Sequence, residues 1–269
     1  TEPAAEADQA DLVTVDEGAI VLRTDDGSVT LTDGDTNGSS VSAASGIVLI
    51  EAQGSGRDVE INADITSTGG HVTILAAHDV LQNADIESGG GDVNVAAASG
   101  SIVMDEGTYT DTDGGDVRYL AEVNIEIEEI LAGSGNAALV ADTGSIVDGD
   151  ADIDITAFGL LLDAAVDIGE LDSGTDPLET DVTELTAVTA TGDITVLEAS
   201  AVTVTELSVP VDVVGINGIS TVPAPLSSSD VTSEGDGDII VVTLNGRLTV
   251  SEGDADDTGV QAIGTGDIL

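Results

Sequence analysis

Gly89-Gly90-Gly91-Asp92-Val93-Asn94-Val95-Ala96-Ala97-Ala98-Ser99-Gly100-Ser101-Ile102-Val103 is the stretch that decides the fold. Apolar side chains alternate in it, as a half-buried strand requires. Each strand is only a few residues long, and the next begins within about ten residues. Twenty-one residues earlier the same pattern runs from Asn62-Ala63-Asp64-Ile65 to Gly70-His71-Val72-Thr73-Ile74, against Asn83-Ala84-Asp85-Ile86 to Gly91-Asp92-Val93-Asn94-Val95. The frame recurs at Gly115-Asp116-Val117 and at Gly135, so well-defined spacings are 21, 24 and 20 residues. Looser copies open at Gly27, Gly46, Gly159, Gly192 and Gly237.

Each copy holds up to three apolar segments. From Gly70 they are Val72/Ile74, Val80 and Ile86; in the next copy they are Val93/Val95, Ile102 and a poorer one around Tyr109. Three strands and three corners in a repeat of this length describe one turn of a parallel β-helix. The expectation is an all-β, three-sided β-solenoid of about eleven turns with roughly 20–24 residues each, a rod on the order of 50 Å long. Valine, isoleucine and leucine point inward, Asp, Asn, Thr and Ser outward, and glycine stands where the chain bends or takes a positive φ. A β-sandwich also has short alternating strands, but it gives no reason for a 21-residue repeat.

Along the chain, residues 1–19 read as a cap or lead-in, with a short helix over 1–12, and 20–214 as solenoid. Residues 215–236, with Pro223, Pro225 and a serine run, read as a protruding loop or hinge, and 237–269 as further turns. Both ends look cut from something longer.

Composition narrows the partners. The chain has 53 acidic residues against four basic ones, all arginine, for a net charge of −49. Nucleic acid and anionic membranes are polyanions and are excluded as partners. Membrane insertion is not expected, because no run approaches the roughly 18 apolar residues of a span. Positive mean hydropathy and regular Val, Ile and Leu argue against disorder. Cysteine is absent, so no disulfide or thiolate site forms. Such acidity suits a salt-rich habitat, where cations damp self-repulsion.

The Gly-Asp-Val-x-Val and Gly-Ser-Ile-Val units, with Asn-Ala-Asp-Ile between them, resemble the β-helical repeats of filamentous-haemagglutinin-like proteins and of very large secreted bacterial surface proteins. The resemblance covers roughly residues 20–210 and, more weakly, 237–269. It implies an extracellular rod for adhesion, matrix or cell-surface architecture, and it carries over no catalytic residue.

Calcium is the cofactor expected from the residues. Asp33, Asp35 and Asn37 alternate as in the opening of an EF-hand loop, although Ala44 stands where the bidentate glutamate belongs. Asp148, Asp150 and Asp152, and Asp254 and Asp256, are similar clusters at corners; Asp111/Asp113 and Asp236/Asp238 are thinner ones. The competing account is a solvated acidic turn. His71 and His78 read as surface residues, each arginine as paired with carboxylates, and Tyr109, Tyr119 and Phe158 as packing.

Three functions are weighed. The first is a non-enzymatic structural segment of a surface or matrix protein, associating with itself end to end or laterally, or with other matrix components, through cations. The second is an adhesin module using the 215–236 loop or a solenoid face. The third is a polysaccharide-active enzyme, disfavoured because one Phe, two Tyr and no Trp supply no sugar platform.

Overall fold

The computed structural model describes residues 11–148, 152–169, 176–251 and 258–269. Among them every regular element is a β-strand, and the stack is a parallel three-sided solenoid. On the first face Val48–Ala52, Val72–Ala76, Val93–Ala97, Val117–Ala121 and Asn136–Ala141 pair in register. The second face is a six-stranded sheet from Val29–Leu31 through Val59–Ile61, Val80–Gln82, Ile102–Met104 and Ile125–Ile127 to Ile146–Asp148. The third stacks Asp64–Ser67, Ile86–Glu87, Tyr109–Asp111, Glu129–Leu131 and the start of Ile155–Ala164. The expected segments therefore lie on the expected strands, Tyr109 included.

The regular coil makes about seven turns, fewer than the eleven expected. Two classes of glycine corner explain the difference. Of the glycines taken as copies, Gly46, Gly70, Gly91, Gly115 and Gly135 precede first-face strands, whereas Gly27 precedes a second-face strand and Gly192 and Gly237 lie at the continuing corner that leads to Ile194 and Ile239. Counting both as one frame overstates the turns. The later rungs also consume more chain: the Thr186 hydroxyl reaches the Asp230 carbonyl, 44 residues on. Beyond Gly169 the stack continues as Ala187–Thr189 on Val231–Ser233 on Val260–Ala262.

Inside, Val72 and Ile74, Val93 and Val95, Val117 and Tyr119, and Ala137 and Leu139 are all fully buried in successive rungs. Each buried aliphatic side chain contributes roughly 1.5–3 kcal/mol. Tyr119 is the aromatic member of this column, and its hydroxyl is satisfied by Gln82 Oε1 at 2.8 Å and Thr110 Oγ1 at 2.6 Å. Phe158 does not pack as expected; it is 44% exposed, because it alternates outward on its strand.

Outward positions of the first face should be wet, yet Thr73, Asn94, Ala138 and Leu161 are buried. The cover is an antiparallel hairpin, Leu207–Val209 on Leu226–Ser228 and Val213–Val214 on Ser220–Thr221. Val209 and Val211 pack on Ala138 and Leu161. The Asp212 N–H donates to Asp92 Oδ2 at 2.8 Å, and the Val214 N–H to Thr73 Oγ1 at 2.9 Å. Residues 215–228 are thus the tip and return strand of a docked hairpin instead of a free loop, and Val231–Ser233 is already back in the stack. The expected helix over 1–12 lies, up to residue 10, outside the described residues; Leu12–Thr14 is a strand.

Corners carry a second ladder. Bending leaves the N–H ahead of each strand without a strand partner, and a buried N–H needs an acceptor. On the second-face corner the side chain one turn back supplies it: Asp58 to Asp79 N–H, Asp79 to Ser101, Ser101 to Asn124, Asn124 to Ser145 and Ser145 to Asp167, at 2.8–3.2 Å. Asp167, Asp193 and Asp238 extend it to Asp267. Only short side chains with an acceptor close to Cβ reach the next rung. The first-face corner does the same from His71 to Asp92, Asp116 and Asn136.

The glycines before these residues have a different cause from the expected one. Gly70, Gly91, Gly115 and Gly135 have no positive φ. A Cβ on each would collide with the carbonyl oxygen of the corner glycine one turn back. Gly91→Ala is expected to destabilise the protein by about 2–3 kcal/mol. Gly56→Ala, at φ +69 with open space around it, should cost about 1 kcal/mol. Denaturant titration of the two variants measures both; equal losses would refute the close-approach account.

Candidate cation sites

Stacking places each residue of one rung against its counterpart in the next, at the roughly 4.8 Å strand spacing. At the start of the third face this builds a column of Asp64, Asp85, Tyr109, Glu129, Asp154 and Glu179, the residues at or just before the paired strands. Like charges this close repel. Burial first, then neighbouring carboxylates, raise the pKa of Asp85 and of Glu129 above the ordinary range. Glu179, displaced upward by burial and then by the charges of Asp148 and Asp176, is pushed up to about 7.

Among the described residues, four groups of carboxylates and histidines bring ligand atoms within 4.8 Å of one another. Asp33 and Asp35 converge with Asp11, as expected of calcium ligands in part. Their oxygens, however, serve their own loop. Asp33 accepts the N–H groups of Asp35 at 2.9 Å, Thr36 at 2.7 Å and Gly38 at 2.8 Å. Asp35 accepts from Asn37, and Asn37 Oδ1 from Ser39. Asn37 donates its amide to Asp11 instead of coordinating beside Asp33. The Gly38 and Asp35 N–H groups hold the Asp33 carboxyl below its usual range, so backbone dipoles favour its charged form.

The second expected cluster is only partly assembled. Asp148 joins Asp154 and Glu179, whereas Asp152 is exposed and borders a recess with Glu128 and Glu129. Asp150, Asp254 and Asp256 lie outside the described residues. Sequence reasoning missed Glu179, 25 residues from Asp154. The register of the repeat was the signal that could have found it, since Ile155 pairs with Thr180.

Asp154 is 1% exposed and Glu179 8%. They are tied across the rungs: the Glu179 N–H donates to Asp154 Oδ2 at 2.7 Å, and the Asp154 N–H to the Glu179 carbonyl at 3.0 Å. Glu179 Oε2 is buried with no hydrogen-bond partner. One rung on, Glu198 is equally buried but well served, accepting from Thr180 Oγ1, the Val182 N–H, and both the N–H and the hydroxyl of Ser200.

The histidines sit on the ladders. His71 Nδ1 accepts the Asp92 N–H at 2.9 Å, which fixes the Nε2–H tautomer; Nε2 lies 3.9 Å from Asp212 of the hairpin. His78 Nδ1 is 2.9 Å from Asp58 and from Asp79. Arg23 pairs with Glu51 at 3.0 Å and Arg57 with Asp26 at 3.0 Å. Arg118 departs from the expectation of a carboxylate partner: it is buried and donates to Asn94 Oδ1 at 2.8 Å.

The hydrogen bond to Asp58, then the charge of Asp79, raise the His78 pKa above 6.5. Its protonated form is the one that favours folding, so the contribution is full below pH 6.5 and disappears as pH rises through the raised value. A proton NMR titration should place the midpoint of His78 above 6.5, and Asp58→Asn should bring it back toward 6.5; an unchanged midpoint would remove Asp58 as the cause. Among comparisons with known proteins, no family profile, no curated protein and no solved structure matches the chain.

Proposed function

We propose that the chain is a non-enzymatic structural rod, a segment of an extracellular surface or matrix protein whose acidic sides are joined by divalent cations. The observation that carries this reading is the set of acids held at fixed places on a rigid stack, Asp64 above Asp85 at rung spacing and, past Tyr109, Glu129 beside Glu128 and Asp152 at a surface recess. A flexible acidic chain can spread its charges apart, but a solenoid holds them at about 4.8 Å. Two such surfaces repel until divalent cations sit between them. Rods can then associate laterally, and the backbone edges at the ends of the coil can pair end to end. The repeat units resembling those of filamentous-haemagglutinin-like proteins fit the same use. The surface chemistry fits this use at one recess, where Glu128, Glu129 and Asp152 gather carboxylates that a cation can share.

A second reading, an adhesin module, is favoured by one observation. The hairpin tip carries three apolar residues in solvent, Ile216, Ile219 and Val222, at 63%, 58% and 55% exposure. Exposed apolar clusters of this kind mark interaction sites.

Electron microscopy of the purified chain with calcium, and then with chelator, tests the first reading. Fibres or bundles with calcium that fall to single short rods with chelator are expected, with sodium chloride at matched ionic strength unable to replace calcium. Single rods in every condition, with β circular dichroism intact, would overturn it. Replacing Ile216, Ile219 and Val222 by serine should leave that assembly unchanged; loss of binding to surface glycans or matrix proteins in this variant would favour the adhesin.

A further inference from the structure

The corner between the second and third faces near the sixth turn gathers three carboxylates, and one oxygen of Glu179 there is buried without a hydrogen-bond partner. Asp148 ends the second-face strand Ile146–Asp148, Asp154 immediately precedes the strand Ile155–Ala164, and Glu179 stands above Asp154 in the next rung. Their ligand atoms all lie within 4.8 Å of one another. No lysine exists to neutralise them. Three of the four arginines are engaged elsewhere, Arg23 and Arg57 with other carboxylates and Arg118 with Asn94. Burying carboxylates side by side without a cation is costly. Glu198 shows that this fold can satisfy a buried carboxylate with hydroxyl and N–H donors when it needs to. At Glu179 it leaves Oε2 buried with no donor against it, and the side chain that meets this carboxyl is another carboxyl, Asp148.

We propose that Asp148, Asp154 and Glu179 bind one divalent cation, calcium by the chemistry of the oxygens, which staples one turn of the solenoid to the next. The set is all carboxylate, with neither imidazole nor thiolate, which suits a hard cation. Calcium–oxygen distances of about 2.4 Å put any two ligands of one ion no more than about 4.8 Å apart, the limit these atoms meet. The Glu179 N–H bond to Asp154 Oδ2 fixes one ligand before the ion arrives, which lowers the ordering cost of binding. The site lies within a single rod, so it is independent of whether rods join one another.

Calorimetric titration of calcium into the chelator-stripped full chain at high sodium chloride tests this. One class of site should stand out from the diffuse acidic surface, weakened at least about tenfold by Glu179→Gln and unchanged by Asp33→Asn. Because a variant can fail by misfolding, the unaltered protein supplies a second reading: substoichiometric manganese should broaden the amide signals of Asp154 and Glu179 before those of the 33–38 loop. Broadening that starts at that loop or everywhere at once would overturn the proposal. So would an unaltered calcium isotherm in Glu179→Gln. So would the absence of calcium binding together with an infrared band of a protonated carboxyl lost in Glu179→Gln, which would assign the buried site to a shared proton.

Discussion

Everything in this molecule follows from rungs stacked in parallel, in register, at about 4.8 Å. Each residue then has its counterpart directly above and below, so whatever one turn places at a position is multiplied along the rod. For Val72, Val93 and Val117 the repetition makes a continuous aliphatic core. For Gly70, Gly91 and Gly115 it brings backbone against backbone so tightly that no Cβ fits. For Asp58, Asp79 and Ser101 it sets an acceptor beneath an N–H that bending has deprived of a strand partner.

The same rule turns acidity from a surface property into a structural one. A carboxylate in a column is tolerated where a neighbour answers its charge, and several kinds of answer occur. Backbone N–H groups meet Asp33 and the corner ladder; His78 bridges Asp58 and Asp79; hydroxyls and N–H groups surround Glu198. At Asp148, Asp154 and Glu179 the answer proposed above is a divalent cation, because Glu179 Oε2 is buried with no donor against it. Strong acidity and close-set rungs thus belong to one physical argument, in which the coil sets the spacing of the charges.

The repeat was legible because solenoid geometry acts locally: alternation, small corners and the 21-residue offset all lie within one or two turns of sequence. Tyr109 on a weak third strand was readable for that reason. Two things were not. The hairpin docks Val209 and Val211 on Ala138 and Leu161 from far along the chain, and its trace in sequence was the loss of alternation in Ala137-Ala138-Leu139 and Leu160-Leu161-Leu162. The acidic cluster at Asp148 was found by composition, but Glu179 joins it through register across a whole turn, which no local motif displays. In the 33–38 loop one sequence pattern serves two readings, because the residues that coordinate calcium also make Asx turns.

The central claim is that corner side chains carry the ladder around each bend, so that corners are as closed as strands. Native-state hydrogen exchange at the Ser101, Asn124, Ser145 and Asp167 amides tests it most directly. The account predicts protection close to that of Ile102, Ile125 and Ile146, the first strand residues beside them. Corner amides exchanging at the rate of an open loop, while those strand amides stay protected, would contradict it.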